Sequence, residues 1–587
     1  MHKTTKAFDI CIVGSGAGCG PIAYELSKAG FSVGVLEKGA WYREKDFFKD
    51  EQLVRHNIFQ SQLKHERHVL EEPNDDGSWS SNNTDQFWGG NIVGGASNFM
   101  SGYFHRLKPQ DFRLVSTYGT IEGANTVDWP ISYEDLEPYY CKVECIVGVS
   151  GRVVPHPNLE PRSTKDYPFA PTREHPIADW FDHACHQIGL HPLPMARGVL
   201  SAPFNGRSSC EYSGYCGSYG CHSGAKASSR AALLDQAIAT GHCEILSHAK
   251  VYRINSDQKG NAESVDYFNS AGESVEVRAK IVVVACYSIE SSRLLLSSPG
   301  VKHPEGIGNH YQQVGKNLHC CSGGTGHGIF EFDQFSHEQA KSLKISGPFF
   351  NRALQDWYVI DDKKAFDQPV KGGTLDFVFD PPSPTSDANS LKHQNGELLW
   401  GTPLKQSIKS HFTQSRDFKF EVFCDWLTTD DCYVSLDQQE KDKWGSPVAR
   451  VKVGYHPHDM KVAKYLVDKG KQVMHAMGAQ KVWGNAFSAP TPNLVAGGLR
   501  FGKDPKTSVL DADCRVHGTS NLFVTDGSFM PNGGSVTPTF TIYANSFRVA
   551  DKIKAQLGKT SESQKTPGNT ARFQGEAGTG CGKLHRN

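Results

Sequence analysis

The 587-residue sequence predicts an α/β fold, a Rossmann-like dinucleotide-binding unit accompanied by a strand-rich second unit. Three observations carry that expectation. An apolar strand, Phe8 to Val13, runs into the glycine-rich loop Gly14-Ser15-Gly16-Ala17-Gly18-Cys19-Gly20 and then into a helical stretch, Pro21 to Ala29. A second apolar strand, Phe31 to Leu36, ends on the acid Glu37. Much later, Ala279 to Cys286 is a continuous apolar run, as expected of a strand buried on both faces of a parallel sheet.

The first element is a phosphate cradle in chemical terms. Glycines allow a tight turn and let the backbone approach a pyrophosphate, whose charge rests on free N–H groups at a helix N-terminus. An acid about 20 residues further on can bind a ribose hydroxyl, which is the place of Glu37. Strict spacing would put the third glycine at Cys19, a residue small enough for the helix to pack closely on the strand. The polar stretch to Asp85 has no clear period. Phe87 to Asn98 then supplies two glycine pairs, Gly89-Gly90 and Gly94-Gly95, which allow close backbone approach. Asp128 to Leu136 reads as a turn leading into a helix, with Ser132 at the N-cap and acids in the first turn. Ile289 to Ser297 suits a helix and Asn521 to Gly527 a short strand. Thr537 to Ile553 reads as a helix with Pro538 in its first turn. Residues 325–450 differ, offering short strand-like pieces, charged turns and no helix longer than two turns, which predicts an antiparallel sheet. From Lys559 the composition predicts a disordered tail.

Composition excludes several classes. Lys+Arg (62) and Asp+Glu (63) balance, so nothing electrostatic favours nucleic acid or an anionic membrane. Hydrophobic residues make up 38%, charged residues 21%, and the mean hydropathy is −0.46, ordinary for a globular protein. No apolar run reaches the roughly 18 residues of a membrane span, and no secretion signal is read at the N-terminus. Sixteen scattered cysteines lack the spacing of a small disulfide scaffold and predict reduced thiols in a cytoplasm.

The ordered set of motifs resembles the glucose–methanol–choline (GMC) family of FAD-dependent oxidoreductases over nearly the whole chain, in particular the branch of gluconate, fructose and FAD-type glucose dehydrogenase large subunits. Val13 to Gly16 with Val35 to Gly39, Val93 to Ser97, Asp128-Trp129-Pro130-Ile131 with Asp135 to Tyr140, Val314 to Leu318 and Asn521 to Gly527 carry the resemblance. It implies an FAD domain assembled from residues 1–130, 222–318 and 486–558, interleaved with a substrate domain from 131–221 and 319–485, the tail being 559–587. It further implies that Gly14, Ser15, Gly16, Gly18, Glu37, Lys38, Gly94, Gly95, Ser97, Asn98, Asp526, Gly527 and Thr537 surround FAD. Some branches link the flavin covalently through a His near the glycine pair. Phe99 stands at that position here, so non-covalent FAD is expected. The branch also implies a small-molecule substrate, a small chaperone-like subunit and a cytochrome c acceptor. Export to a periplasm would then depend on a signal borne by the partner.

The active-site positions depart from the family. Its catalytic His and the assisting Asn or His correspond here to Leu494 and Thr537, and neither side chain is a base. Three readings remain open: alcohol oxidation with a displaced base, different flavin chemistry such as desaturation, lyase or decarboxylation, or a catalytically weak electron-transfer or structural flavoprotein. Candidates for the displaced group are Asp425, at the place of a family glutamate, and Asn532, just before the Thr537 element. His456 and His458 precede a helix and read as surface polar residues.

Cys210, Cys216 and Cys221 lie in a glycine-rich loop as C-x5-C-x4-C. Such thiols can converge on a metal, and a matching loop in FAD-glucose dehydrogenases implies a [3Fe–4S] cluster, although the last spacing there is shorter. Inert thiols are the competing reading. Cys581 and His585 do not make a haem-attachment motif.

Overall fold

The computed structural model describes residues 3–60, 67–74, 76–84, 89–394, 397–487 and 494–563. At its centre is a seven-stranded sheet. Lys3–Val13 lies between Val33–Leu36 and Ser274–Val284, all parallel, and Cys243–Leu246 extends the sheet beyond Val33–Leu36. The other edge of Ser274–Val284 is shared by Leu522–Val524, parallel, and Ala262–Phe268, antiparallel, with Lys250–Ser256 outermost. Ile10, Ile12, Val282 and Val283 are wholly buried in the core cluster that these strands share with the helices Cys19–Lys28 and Thr539–Ser563.

The helix Cys19–Lys28 follows the glycine loop. Gly20 lets it approach the helical segment Ser229–Leu234, since a Cβ at 20 would stand 2.7 Å from Ser229 Oγ and 2.8 Å from Leu233 Cδ1, and Gly18 lies against Thr525 and Asp526, just after the strand Leu522–Val524. Cys19 instead packs in the core, where burial pushes its thiol well above its ordinary value. The helix Tyr133–Val143 begins at the predicted cap, with the Asp135 N–H donating to Ser132 Oγ (3.3 Å) and the Ser132 N–H to Asp135 Oδ2 (2.8 Å). It packs on the C-terminal helix Thr539–Ser563 through Tyr140 and Phe540, whose ring centroids are 4.9 Å apart.

A second, antiparallel sheet runs in the order Lys481–Ala486, Gly324–Glu331, Ser415–Cys424, Gly373–Val378, Arg352–Leu354, Leu193–Pro194. The helix Pro457–Ala476 covers one face, where Leu466, Val467 and Met474 meet Phe418, Phe420 and Val422. A four-stranded sheet joins His68–Pro73 and Trp79–Thr84 to Tyr433–Lys441 and Pro447–Lys452, tying the early chain to the later one.

Three expectations are corrected. Gly401–Thr413 is a thirteen-residue helix within the stretch read as having none beyond two turns. None of its residues is fully buried, so its apolar stripe is thin and its period weak in sequence. The last helix starts at Thr539, leaving Pro538 before its first turn, and continues to Ser563, past the predicted tail start at Lys559. Residues 564–587, with Cys581 and His585, lie outside the described residues, as do Phe87 and Trp88. His456 precedes the helix Pro457–Ala476 as its cap, part-exposed: its Nδ1 accepts the His458 N–H (3.1 Å) and its Nε2 sits 2.9 Å from the Glu122 carbonyl.

Candidate active site

A cavity of about 550 Å³ runs between the large sheet and the antiparallel sheet. At one end the strand Lys3–Val13 delivers the glycine loop. Gly14 has φ +88°, and a Cβ there would lie 2.6 Å from the Ala285 carbonyl oxygen. Gly16 differs, since the nearest atom to its Cβ would be Ala285 O at 3.9 Å, so its open side faces the cavity it lines. Ser15 ties two loops together, donating to Glu37 Oε2 (2.5 Å) and accepting from the Gly94 N–H (2.9 Å). Glu37 also accepts from the Ser15 and Gly39 amides (3.1 and 2.8 Å), and burial pushes its carboxyl up against those bonds.

Gly14, Ser15, Gly16, Gly18, Glu37, Lys38, Gly95, Ser97, Asp526, Gly527 and Thr537 all line the cavity. Gly94 and Asn98 stand behind it. Gly94 takes the left-handed φ of +95°, while the Asn98 side-chain amide donates to Val93 O (3.0 Å) and Gly95 O (2.9 Å), bracing the turn. Asp526 accepts from the amides of Tyr287 (3.1 Å) and Ser528 (2.9 Å) and from the Ser291 and Ser528 hydroxyls (both 2.5 Å), which fixes it at the cavity wall. Sequence reasoning missed the cluster around Glu290, where His68, Lys250, Arg293 and Lys38 lie at 3.1, 3.4, 3.3 and 3.9 Å. Burial opposes ionisation there, yet Lys250, Lys38 and Arg293 hold the Glu290 carboxyl well below the usual carboxylate range.

Leu494, Thr537, Tyr103 and Glu421 line the same cavity, with Tyr103 beside both Thr537 and Glu421. The Thr537 hydroxyl donates to the Tyr103 carbonyl (2.7 Å). Asp425 and Asn532, the two candidates for a displaced catalytic group, do not line the cavity. Asp425 accepts the Gly534 N–H (2.6 Å) and faces Lys371 (3.3 Å), and the Asn532 amide donates to Asp111 O (3.1 Å), both in the interior. Along Ser415–Cys424, Phe418 and Phe420 enter the core under the helix, so Lys419 and Glu421 point to the cavity; Asp425 shares their parity, but the strand ends at Cys424 before reaching it. The alternation Phe418, Lys419, Phe420, Glu421 was the available signal.

Glu421 Oε1 lies 3.0 Å from Lys419 Nζ, which also reaches Asp380 Oδ1 at 3.1 Å. Burial pushes the Glu421 carboxyl up, Lys419 works against it, and Asp380 and Asp376 work with it. Glu421, with a side chain 29% exposed, is a carboxylate of the cavity wall whose raised pKa suits proton abstraction.

The cysteine loop serves as wall. Gly217 and Ser218 line the cavity, while Cys210 packs against apolar neighbours and burial pushes its thiol up to about 12. Cys216 Sγ faces the Ser101 carbonyl (4.0 Å) and Cys221 Sγ the Ser223 hydroxyl (3.5 Å). Among the described residues no three His, Cys, Asp or Glu side chains are grouped to hold a metal ion, so the iron–sulfur reading is unsupported. Nor is any helix among them long and apolar enough to cross a membrane.

A parallel sheet with a glycine phosphate loop, an acid at the end of its second strand and an antiparallel sheet closing one cavity define a dinucleotide-dependent redox protein. The GMC oxidoreductase family models match residues 28–321 and 428–546, and the chain belongs to that family. It is 29% identical to 2-methyl-1,2-propanediol dehydrogenase of Mycolicibacterium austroafricanum, covering 97% of this chain and 99% of that one. It is 24% identical to the gluconate 2-dehydrogenase flavoprotein of Pantoea cypripedii, with 94% of each covered. The fold is similar to that of formate oxidase from Aspergillus oryzae, with a TM-score of 0.63 at 14% identity over 95% of this chain and all of that one. The protein is thus an oxidoreductase. GMC oxidoreductases bind FAD, and the open face of Gly16, the paired glycine turns and the Glu37 carboxylate fit that cofactor.

Proposed function

We propose that the protein oxidises a hydroxyl group of a small polar, diol- or sugar-like substrate, using non-covalent FAD, with Glu421 as general base in place of the family histidine. The observation that carries this reading is a cavity lined both by the phosphate loop and by Glu421, Leu494 and Thr537. The names of the dehydrogenases cited above, whose substrates carry hydroxyl groups, support it.

FAD, when bound, supplies a hydride acceptor at N5 of its isoalloxazine. Glu421 takes the hydroxyl proton as the carbon loses its hydride, so the alcohol becomes a carbonyl compound. Burial makes this carboxylate a stronger base than an exposed one, and Lys419 at 3.0 Å holds it in place. Leu494 presents an apolar surface that keeps water from the reacting carbon. Thr537, committed to Tyr103 O, orients without taking the proton. The decisive experiment is anaerobic mixing of the holoenzyme with diols, sugars and aldonates. At least one should bleach the flavin band. The reading fails if none does while L494H/T537N confers bleaching.

The acceptor belongs to the same proposal. Turnover should be faster with an artificial electron acceptor than with O₂, and peroxide formed in step with substrate loss would overturn this. In the cell the electrons would pass to a cytochrome c, with a small chaperone-like subunit assisting. The protein would work in the cytoplasm, or in a periplasm if the partner carries the signal.

Phe99 lines the cavity and packs edge-on against Phe47, ring centroids 6.1 Å apart, offering no nucleophile to the flavin. Acid precipitation should therefore leave the yellow chromophore in the supernatant. Flavin retained on the pellet would show a covalent link.

A further inference from the structure

Behind the turn that carries Thr537 lies a buried ionic group that the reaction does not use. The Lys371 ammonium, 7% exposed, contacts Asp111 Oδ1, lies 3.3 Å from Asp425 Oδ2 and 3.0 Å from Ser535 Oγ. Asp425 Oδ1 accepts the Gly534 N–H at 2.6 Å. Tyr358 Oη sits 2.6 Å from Asp111 Oδ2 and 2.7 Å from the Gly534 carbonyl. The Ser535 hydroxyl donates to Gly372 O (2.9 Å), and the Asn532 amide donates to Asp111 O (3.1 Å). Four distant segments of chain thus grip one short turn at Asn532, Gly534 and Ser535.

The turn needs that grip. Gly534 and Ser535 take successive left-handed conformations, φ +72° and +56°, and the second is a conformation that residues with a Cβ rarely adopt. A Cβ on Gly534 would meet Leu107 Cδ2 at 2.0 Å, so the turn is also wedged from behind. Immediately after it, Thr537, Pro538 and Thr539 form cavity wall. Buried ions are a weak source of stability, because apolar side chains of the same volume often do as well, so their use here points to geometry.

We infer that Lys371, Asp111 and Asp425 are positioning residues that set the turn Asn532–Val536 and hence the placement of Thr537 against the cofactor. The inference rests on the cavity being the reaction chamber proposed above, but the turn can be read without any substrate. Hydrogen–deuterium exchange of the FAD-loaded protein is compared for wild type, Lys371→Met and Ser535→Ala. In Lys371→Met the amides of Gly534 and Ser535 should exchange at least about tenfold faster, while those of Ile281 to Val284 stay as protected as in wild type. With a substrate that bleaches the flavin, kcat should fall by a larger factor than KM rises. Ser535→Ala removes the hydroxyl's two contacts, with Lys371 and with Gly372 O, and leaves all three charges, so exchange in the turn should rise about threefold with the fold intact. A folded, flavin-loaded Lys371→Met whose turn exchanges as slowly as wild type overturns the inference. If that variant does not fold, unchanged exchange in Ser535→Ala overturns it equally. Should no alcohol prove to be a substrate, the exchange measurement still decides the role of the three residues.

Discussion

Replacing Glu421 with glutamine is expected to lower kcat by a factor of about 10² to 10⁴, the usual contribution of a positioned general base. Glutamine keeps the volume, and its carbonyl can still accept from Lys419, so flavin content and melting temperature should change little. The pH profile provides the sharper check. Proton abstraction needs the ionised carboxylate, and burial raises the pKa of Glu421. Wild-type kcat/KM should therefore fall as pH drops through a value above the exposed-carboxylate range, and the glutamine variant should lose that acid limb. Steady-state rates of both proteins across pH, with one bleaching substrate, are sufficient. Unchanged kcat in Glu421→Gln would remove the residue from the mechanism.

Gly16→Val should abolish flavin binding while leaving the protein folded. A Cβ at 16 finds nothing closer than Ala285 O at 3.9 Å, so the fold has room for the branch. That room is the cavity, where a dinucleotide pyrophosphate would approach the backbone. Gly14→Ala is the contrasting case: at φ +88° and 2.6 Å from Ala285 O, the added methyl strains the junction of two core strands. The ratio of flavin to protein absorbance, with circular dichroism melting, separates the two. A yellow Gly16→Val protein would place the pyrophosphate elsewhere.

The nucleotide half of the site was legible in sequence because its chemistry is local. Gly14 to Gly18, Glu37 and Asp526 each follow a strand by a few residues, and the turn does the positioning. Cys19, at the place of a third glycine, is accommodated fully buried at the start of the helix. The far half was not legible, since its residues come from strands that meet only in the folded chain. Leu494 and Thr537 could be placed by resemblance, but Asp425 and Glu421 share one parity, and which of them faces the cavity depends on where the strand stops. Asn532 and Asp425, read as candidate reactants, hold the backbone of a turn instead.

The order of strands in the large sheet has a consequence for how the protein is made. Its centre pairs residues 3–13 with 274–284, and the last strand to join comes from 522–524. Cavity wall continues to Ile542. A ribosome delivering the chain from its N-terminus exposes the glycine loop hundreds of residues before the opposite wall exists. The loop alone can meet a dinucleotide but cannot enclose one. Holoenzyme forms only once residues 522 to 542 have been made, and a chain truncated before residue 522 would lack both the closing strand and the cavity wall from Asp526 to Ile542. Flavin would then be enclosed only after residue 542 has emerged and folded onto the glycine loop.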